Sequence, residues 1–526
     1  MGLWAALAAS LLAASLQPAR VVLAPIDDRP ATGQFARMIG AIAGVEVQTP
    51  PPSMLGRFTT PGDPDAVLSW LERQELDESA AVVVSAEMVC FGGLVASRTD
   101  ATPLASALAR LDRLRTIRRV HPQTPFYVFA TIPRVLPTAT VETAPWRDAL
   151  GTYVTLREQI RSGRAVDAKA WAKARRKAPM ARVEAYDRMR RRNEAVLVRL
   201  IEDTAAGVYD YLTIGQDDAA SSGPHVPEGK RLRALVERLG IGGKVYFCEG
   251  IDQHSSVLVS RAALRSAGWQ PRVRIVLSDP PAARRPAPYE SKPLAKTLED
   301  QLLASGARPA EDGSAADYTL FVNTPKPPRE SFESFCARLV AALEAGDPCA
   351  VADVNLGEEG IADERLFRAI WQSPSVADLL AYAGWNTAGN TMGTTIPAAN
   401  LAMLARRAGM GSRAEAARRT FLLHRFANDF AYHKLVRPIA YNLVRELQPR
   451  QPPFEVRGEA FALADSFVRR AMRSYVERYF RERFQDEDAL ARRPLWELTP
   501  VDAGLPWPRV YEVRLEFEIR PAPLVP

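Results

Sequence analysis

Residues 209–218 read YDYLTIGQDD, an apolar run that ends in an amide and two carboxylates. A run without polar alternation belongs to a strand covered on both faces, as in a parallel α/β sheet. The same rhythm recurs on both sides of it, in VVLAPIDDRP (21–30), VEVQTPP (45–51), AAVVVSAEM (80–88), FYVFATIPR (126–134) and KVYFCEGID (244–252). It continues in VRIVLSD (273–279), DYTLFVNTP (317–325), CAVADVN (349–355) and LLAYAGWNT (379–387). Stretches of helical spacing lie between these runs, among them LASALARLDRLRTIRR (104–119) and ESFCARLVAALEAG (333–346). The pattern predicts an α/β fold with a mostly parallel, TIM-barrel-like sheet and extra strands. A barrel-like region spans 20–280, and a second α/β part over 281–400 completes or flanks it, joined near the Pro-rich PAARRPAPYESKP. Residues 401–526 read as a helical region ending in PRVYEVRLEFEIRP, whose alternation fits a short terminal β segment.

Composition supports a globular chain: 526 residues, 47% hydrophobic and 25% charged. The net charge of +7 is concentrated in one place. Residues 151–192, between the fourth and fifth strands, hold thirteen Lys and Arg against four Asp and Glu, a surplus larger than that of the whole chain. Their spacing is helical, so the segment reads as a basic insertion: a solvated face, or a lid that steers an anionic ligand. It lacks the interleaved aromatics of a nucleic-acid stacking platform, so nucleic acid is not expected as a partner. Residues 3–16, LWAALAASLLAASL, are too short to span a bilayer and sit where a signal peptide's apolar region would. Residues 1–19 are therefore expected to be a signal peptide, the protein exported to the periplasm or beyond, and no transmembrane segment is expected. Four cysteines without C-x-x-C spacing exclude a zinc ribbon; Cys336 and Cys349 could bridge in an oxidising compartment.

In parallel α/β proteins ligands bind at the carboxyl ends of the strands. Those ends carry Asp27, Asp28 and Arg29; Glu87 and then Arg98; Arg134; Asp217 and Asp218; Asp252; Asp353 and Asn355; and Trp385, Asn386 and Asn390. One such Asp commonly caps the next helix. Acids at so many strand ends point to a shared rim, because clustered like charges cost stability unless something uses them. Glycoside hydrolysis suits such a rim, with one carboxyl as proton donor and another as nucleophile, base or orienter. Asp217 and Asp218 are the catalytic candidates, while Asp27, Asp28, Arg29, Arg98, Asp252, Asp353, Asn355, Trp385, Asn386 and Asn390 are the candidates for binding substrate. Trp385 and Tyr382 would offer a face to a sugar ring. The alternative uses Asp27, Asp217, Asp252 and Asp353, with His225 or His254, as ligands of a hard cation for amide or ester hydrolysis. A non-catalytic glycan-binding protein is the third reading. No H-x-H or H-E-x-x-H occurs, so no zinc centre is expected. No G-x-x-x-x-G-K-[ST], G-x-G-x-x-G or G-x-S-x-G is present either, so no cofactor is expected and no serine triad can be named.

The segments LAPIDDRP, FGGLVASR, IGQDDA, DVNLGEEG, AYAGWNTAGNTMGT and FANDFAYHKLVRP resemble the landmarks of a bacterial domain-of-unknown-function family, number 4127. The resemblance runs from about residue 20 to 520 and implies where the important residues lie, not a reaction. IGQDDA alone is similar to the catalytic doublet of O-GlcNAcase-type glycoside hydrolases. That likeness implies that Asp217 orients an acetamido group and Asp218 protonates the leaving oxygen. Gln253 stands where the 4127 family is expected to have an acid.

Overall fold

A computed structural model describes residues 19–217, 222–311, 313–357, 359–449, 454–488 and 493–523. The proposed signal peptide falls almost entirely outside these residues, as does Asp218.

Two open sheets, each wholly parallel, form the framework. The first takes β1 (Arg20–Ala24), β2 (Glu46–Gln48), β3 (Ser79–Ser85), β4 (Phe126–Ile132), β5 (Tyr211–Gln216) and β6 (Val245–Glu249), in the order β2-β1-β3-β4-β5-β6. The second takes β7 (Arg272–Leu277), β8 (Arg308–Pro309), β9 (Tyr318–Asn323), β10 (Cys349–Asp353) and β11 (Ala381–Ala383), in the order β11-β10-β9-β7-β8. Read from its β8 edge, the second sheet repeats the 2-1-3-4-5 order of the first, a doubly wound arrangement with a switch point beside its first strand. The continuous apolar runs are explained by this: Val21–Ala24, Val82–Val84, Phe126–Ile132 and Cys349–Asp353 are buried throughout, with helices on both faces.

The α/β class, the mostly parallel strands, the helical C-terminal region and the terminal β segments are all present. The barrel is not: β6 pairs only with β5, and β7 with β8 and β9, so the strands stop short of closure. Each expected strand exists, but pairing partners decide closure, and hydrophobic periodicity carries no information about partners.

Three helices, Gln34–Ile42, His254–Ser266 and Ala388–Arg407, fill the space between the sheets and share one core with both. Their apolar sides explain the placement. Phe35, Ile39, Leu258, Val259, Met392 and Ile396 are all fully or almost fully buried there. The outer face of the second sheet is covered by a helical layer that includes Gly411–Arg425 and Gly458–Arg483. Between residues 425 and 437 the chain departs from α geometry: Phe426–Val436 is a π-helix, anchored by a buried ion pair from Arg425 to Asp429 (2.5 Å). The basic insertion is helical, over Arg147–Arg161, Ala168–Lys177 and Met180–Ala205. All four cysteines are buried and free, so Cys336 and Cys349 are not bridged. Among the described residues no helix is long and apolar enough to cross a membrane.

Candidate functional site

The carboxyl ends of the two sheets open onto one cavity of about 450 Å³, a size suited to a small ligand. Its wall takes Arg29 from the loop after β1, Arg98 after β3, Arg134 after β4, Gln216 and Asp217 from the end of β5, and Asp252 after β6. The second sheet adds Trp385, Asn386 and Asn390 after β11. The π-helix adds Asn428 and His433, and the C-terminal segment adds Trp507, Arg509, Tyr511 and Glu512. A second cavity of about 700 Å³ continues outward, sharing Arg134, Arg147, Tyr289, Asn386 and Tyr511 with the first.

Arg29 is the hub of the inner wall. Its Nε donates to both carboxylate oxygens of Asp27 (2.9 and 3.0 Å), and Nη2 lies 2.8 Å from Asp252 Oδ1. Nη1 reaches toward Glu512 (3.7 Å), and the guanidinium sits 5.1 Å from the centre of the Trp507 ring. Asp27 therefore braces Arg29 and does not line the cavity. Asp28 does not line it either. It accepts from Trp507 Nε1 (2.5 Å), and burial lifts its carboxyl to about 6. So neither member of this doublet lines the cavity, although both were candidates for binding substrate.

Asp217 pairs with Arg98 Nη2, and Arg98 Nη1 also donates to Thr138 Oγ1 (3.2 Å). Burial alone would raise the Asp217 carboxyl, but the charges of Arg98 and Arg134 outweigh it and hold the carboxyl below its usual range. Asp252 goes the other way: burial raises it more than Arg29 lowers it. Burial and charge thus shift these two carboxyls of one cavity in opposite directions. The basic insertion holds the two arginines that flank Asp217. Arg192 Nη2 donates to Ser97 O (2.7 Å), next to Arg98, and Arg190 donates to Pro133 O and Arg134 O (2.9 and 3.0 Å). Within 151–192 the residues on the outer cavity, among them Thr152, Thr155 and Leu156, are uncharged, and Arg147 just before them brings charge to it.

Other sequence candidates lie elsewhere. Asp353 is buried under β10, accepting from Asn323 Nδ2 (2.9 Å), Asn355 N (3.2 Å) and Asp363 N (2.6 Å), and burial raises it to about 7. Asn355 Nδ2 donates to Asp363 (2.8 Å). Both residues brace a loop and do not line the cavity. Glu87 is likewise consumed by Thr131 N (2.6 Å) and Ser85 Oγ (3.1 Å). His254 stacks on Phe129 in the core, and His225 is buried at the start of a helix and does not line either cavity. Tyr382 is fully buried against Phe426, so it offers no face to a ligand. The four-acid cation site therefore does not assemble: Asp353 is taken up by Asn323, Asn355 and Asp363, and Asp27 and Asp252 are tied to Arg29. Among the described residues no group of three or more His, Cys, Asp and Glu is placed to hold a metal ion.

The expected acidic rim is instead rich in arginine. Among the described lining residues, Arg29, Arg98, Arg134, Arg147, Arg437 and Arg509 face Asp217, Asp252, Glu359 and Glu512. Sequence reading missed Arg437, Arg509, Glu512 and the π-helical pair because they follow no strand. The tyrosines Tyr289, Tyr441 and Tyr511, at 48%, 40% and 51% exposure, were missed as well. The available signal was FANDFAYHKLVRP, which places Asn, Asp and His inside an otherwise apolar helix.

A family model described as "Protein of unknown function (DUF4127)" matches residues 21–516. Comparison with curated proteins finds no match.

Proposed function

The chain belongs to the DUF4127 family over nearly its whole length, and from that premise we propose that it is an exported hydrolase acting on an anionic carbohydrate. The observation that carries this reading is the presence of two carboxyls, Asp217 and Asp252, on the wall of one cavity that six arginines also line. Arginine forks suit a carboxylate or sulfate on the ligand. Exposed Tyr289, Tyr441 and Tyr511 at the cavity supply apolar faces for sugar rings. Asp252, whose carboxyl burial raises despite its contact with Arg29, takes the role of proton donor to the leaving oxygen. Asp217, ionised beside Arg98, stabilises or orients the reacting sugar. Asp218, next in the chain, is the competing donor.

The test is release of reducing ends from neutral and acidic glycans, with a chelator present. Wild-type activity on acidic glycans is expected, falling roughly 10²–10⁴-fold in Asp252→Asn with binding retained, as expected for loss of a general acid. The same fall in Asp218→Asn but not in Asp252→Asn would transfer the donor role. Loss on chelation with recovery on adding a divalent cation would overturn the mechanism, and tight glycan binding without turnover would make the protein a lectin-like binder. Export is tested by sequencing the N-terminus of the mature protein, expected near Arg20.

A further inference from the structure

The π-helix Phe426–Val436 delivers Asn428 and His433 to the cavity, and these residues are five apart in the chain. On an α-helix, five residues of about 100° each would leave them about 140° apart, on different faces. Bonding from i to i+5 widens the turn and brings such a pair to one face. The unusual register is thus what places both side chains in the site.

Their hydrogen-bonding state is specific. Arg437 Nη1 lies 2.9 Å from His433 Nδ1. A guanidinium only donates, so Nδ1 accepts and the ring's hydrogen sits on Nε2. Burial and the charges of Arg437 and Arg425 keep this imidazole neutral at ordinary pH. The ring is 6% exposed and lines the cavity. Asn428 is 5% exposed and its buried Oδ1 has no partner. Asn390, on the facing helix Ala388–Arg407, is 2% exposed and its Oδ1 is likewise unpartnered. Each of these oxygens calls for a donor that no protein group supplies, from water or from a ligand hydroxyl.

Gly250 shows how closely this floor is built. It adopts φ +79°, and a Cβ there would come within 2.7 Å of Asn390 Oδ1.

We infer that Asn390, Asn428 and His433 form a floor that recognises vicinal hydroxyls, so that the ligand is a polyhydroxylated ring acid with its hydroxyls on this floor and its acidic group toward the arginines. A hydroxyl both donates and accepts, which answers amide oxygens and an imidazole N–H together. The inference rests on the carbohydrate reading above and narrows it.

The test is titration calorimetry with three probes: D-glucuronate, D-glucose, and cyclohexanecarboxylate, which keeps the ring and acid but lacks hydroxyls. Wild type is expected to bind glucuronate most tightly. Asn428→Leu and His433→Phe are expected to weaken glucuronate at least tenfold while leaving cyclohexanecarboxylate unchanged, with His433→Gln, which keeps an N–H, losing less. Asn428→Asp, of equal size, replaces the leucine variant if that one fails to fold, and is expected to weaken glucuronate but not glucose. Variants of wild-type stability that bind glucuronate like wild type would overturn the floor and leave the carbohydrate reading intact. Wild type that binds cyclohexanecarboxylate alone, or none of the three, would overturn that reading and the floor with it.

Discussion

Arg29 Nη2 stands 2.8 Å from Asp252 Oδ1, joining the loop after the second-to-edge strand β1 to the loop after β6 at the far edge of the same sheet. With Asp27 on its other side, the guanidinium is a buried cation between two buried carboxyl groups. Removing one partner from such a group leaves an uncompensated charge, which costs more than the group itself contributes. Arg29→Met is therefore expected to lower unfolding free energy by roughly 3–5 kcal/mol, read from urea midpoints. Adding Asp252→Asn to that variant should recover part of the loss, and strict additivity would show that the two residues are not coupled.

Glu290 provides a test away from the cavity wall. Burial and the nearby Glu249 carboxylate raise it to about 8, while Gly389 N (2.5 Å) and Thr297 Oγ1 (3.1 Å) hold its two oxygens. Between its ordinary value of 4.5 and about 8, the folded chain holds a proton that the unfolded chain has released. Stability from this group is thus complete below about 4.5 and lost as pH rises through 8. Glu290→Gln keeps the acceptor for Gly389 N and lets the amide donate to Thr297. It is expected to match wild type near pH 5 and to exceed it in thermal midpoint at pH 9. Equal slopes for the two proteins from pH 5 to 9 would contradict this.

The C-terminal segment closes the cavity through a few identifiable contacts. Trp507 Nε1 bonds to Asp28, Tyr432 OH to Val510 O (2.9 Å), and Val456 N to Pro508 O (2.7 Å). Trp507→Phe keeps the ring against Arg29 and Arg509 but removes the donor to Asp28. The loss is expected to be about 1 kcal/mol, the lower end of the cost of leaving a polar group unpaired, because Asp28 is half-buried. Faster proteolysis within 505–513 should accompany it, and an unchanged cleavage rate would show that the segment is held by other contacts.

A ligand held by arginines should respond to salt. KM for an acidic glycan is expected to rise as ionic strength goes from about 0.05 to about 0.5 M, with kcat little changed, because screening acts on approach and binding. A neutral substrate of the same length serves as the control. Equal salt dependence for both substrates would mean that the arginines serve the fold alone.

Much of this was legible in the residues, and the illegible parts have physical causes. Strands such as Tyr211–Gln216 and Cys349–Asp353 announce themselves by continuous apolar runs, and their loop ends locate Arg29, Asp217, Asp252 and Trp385 at the site. Barrel closure was misjudged because it depends on whether β6 meets β7, a long-range fact that local pattern does not encode. Asp353 looked like a rim residue, yet three N–H groups absorb it, since strand-end carboxylates brace loops as readily as they bind ligands. Asn428 and His433 were hidden by their spacing, because a 3.6-residue period sends residues five apart to different faces and only the π register unites them.

On the proposed reading, the cavity between the two sheets' carboxyl ends holds the acidic carbohydrate. A crystal structure of Asp252→Asn with an acidic oligosaccharide tests it most directly. Density is expected in that cavity, with the acidic group against arginines such as Arg98 or Arg134 and hydroxyls on Asn390 and Asn428. Density at any other place on the protein, with the cavity holding only solvent, would contradict it.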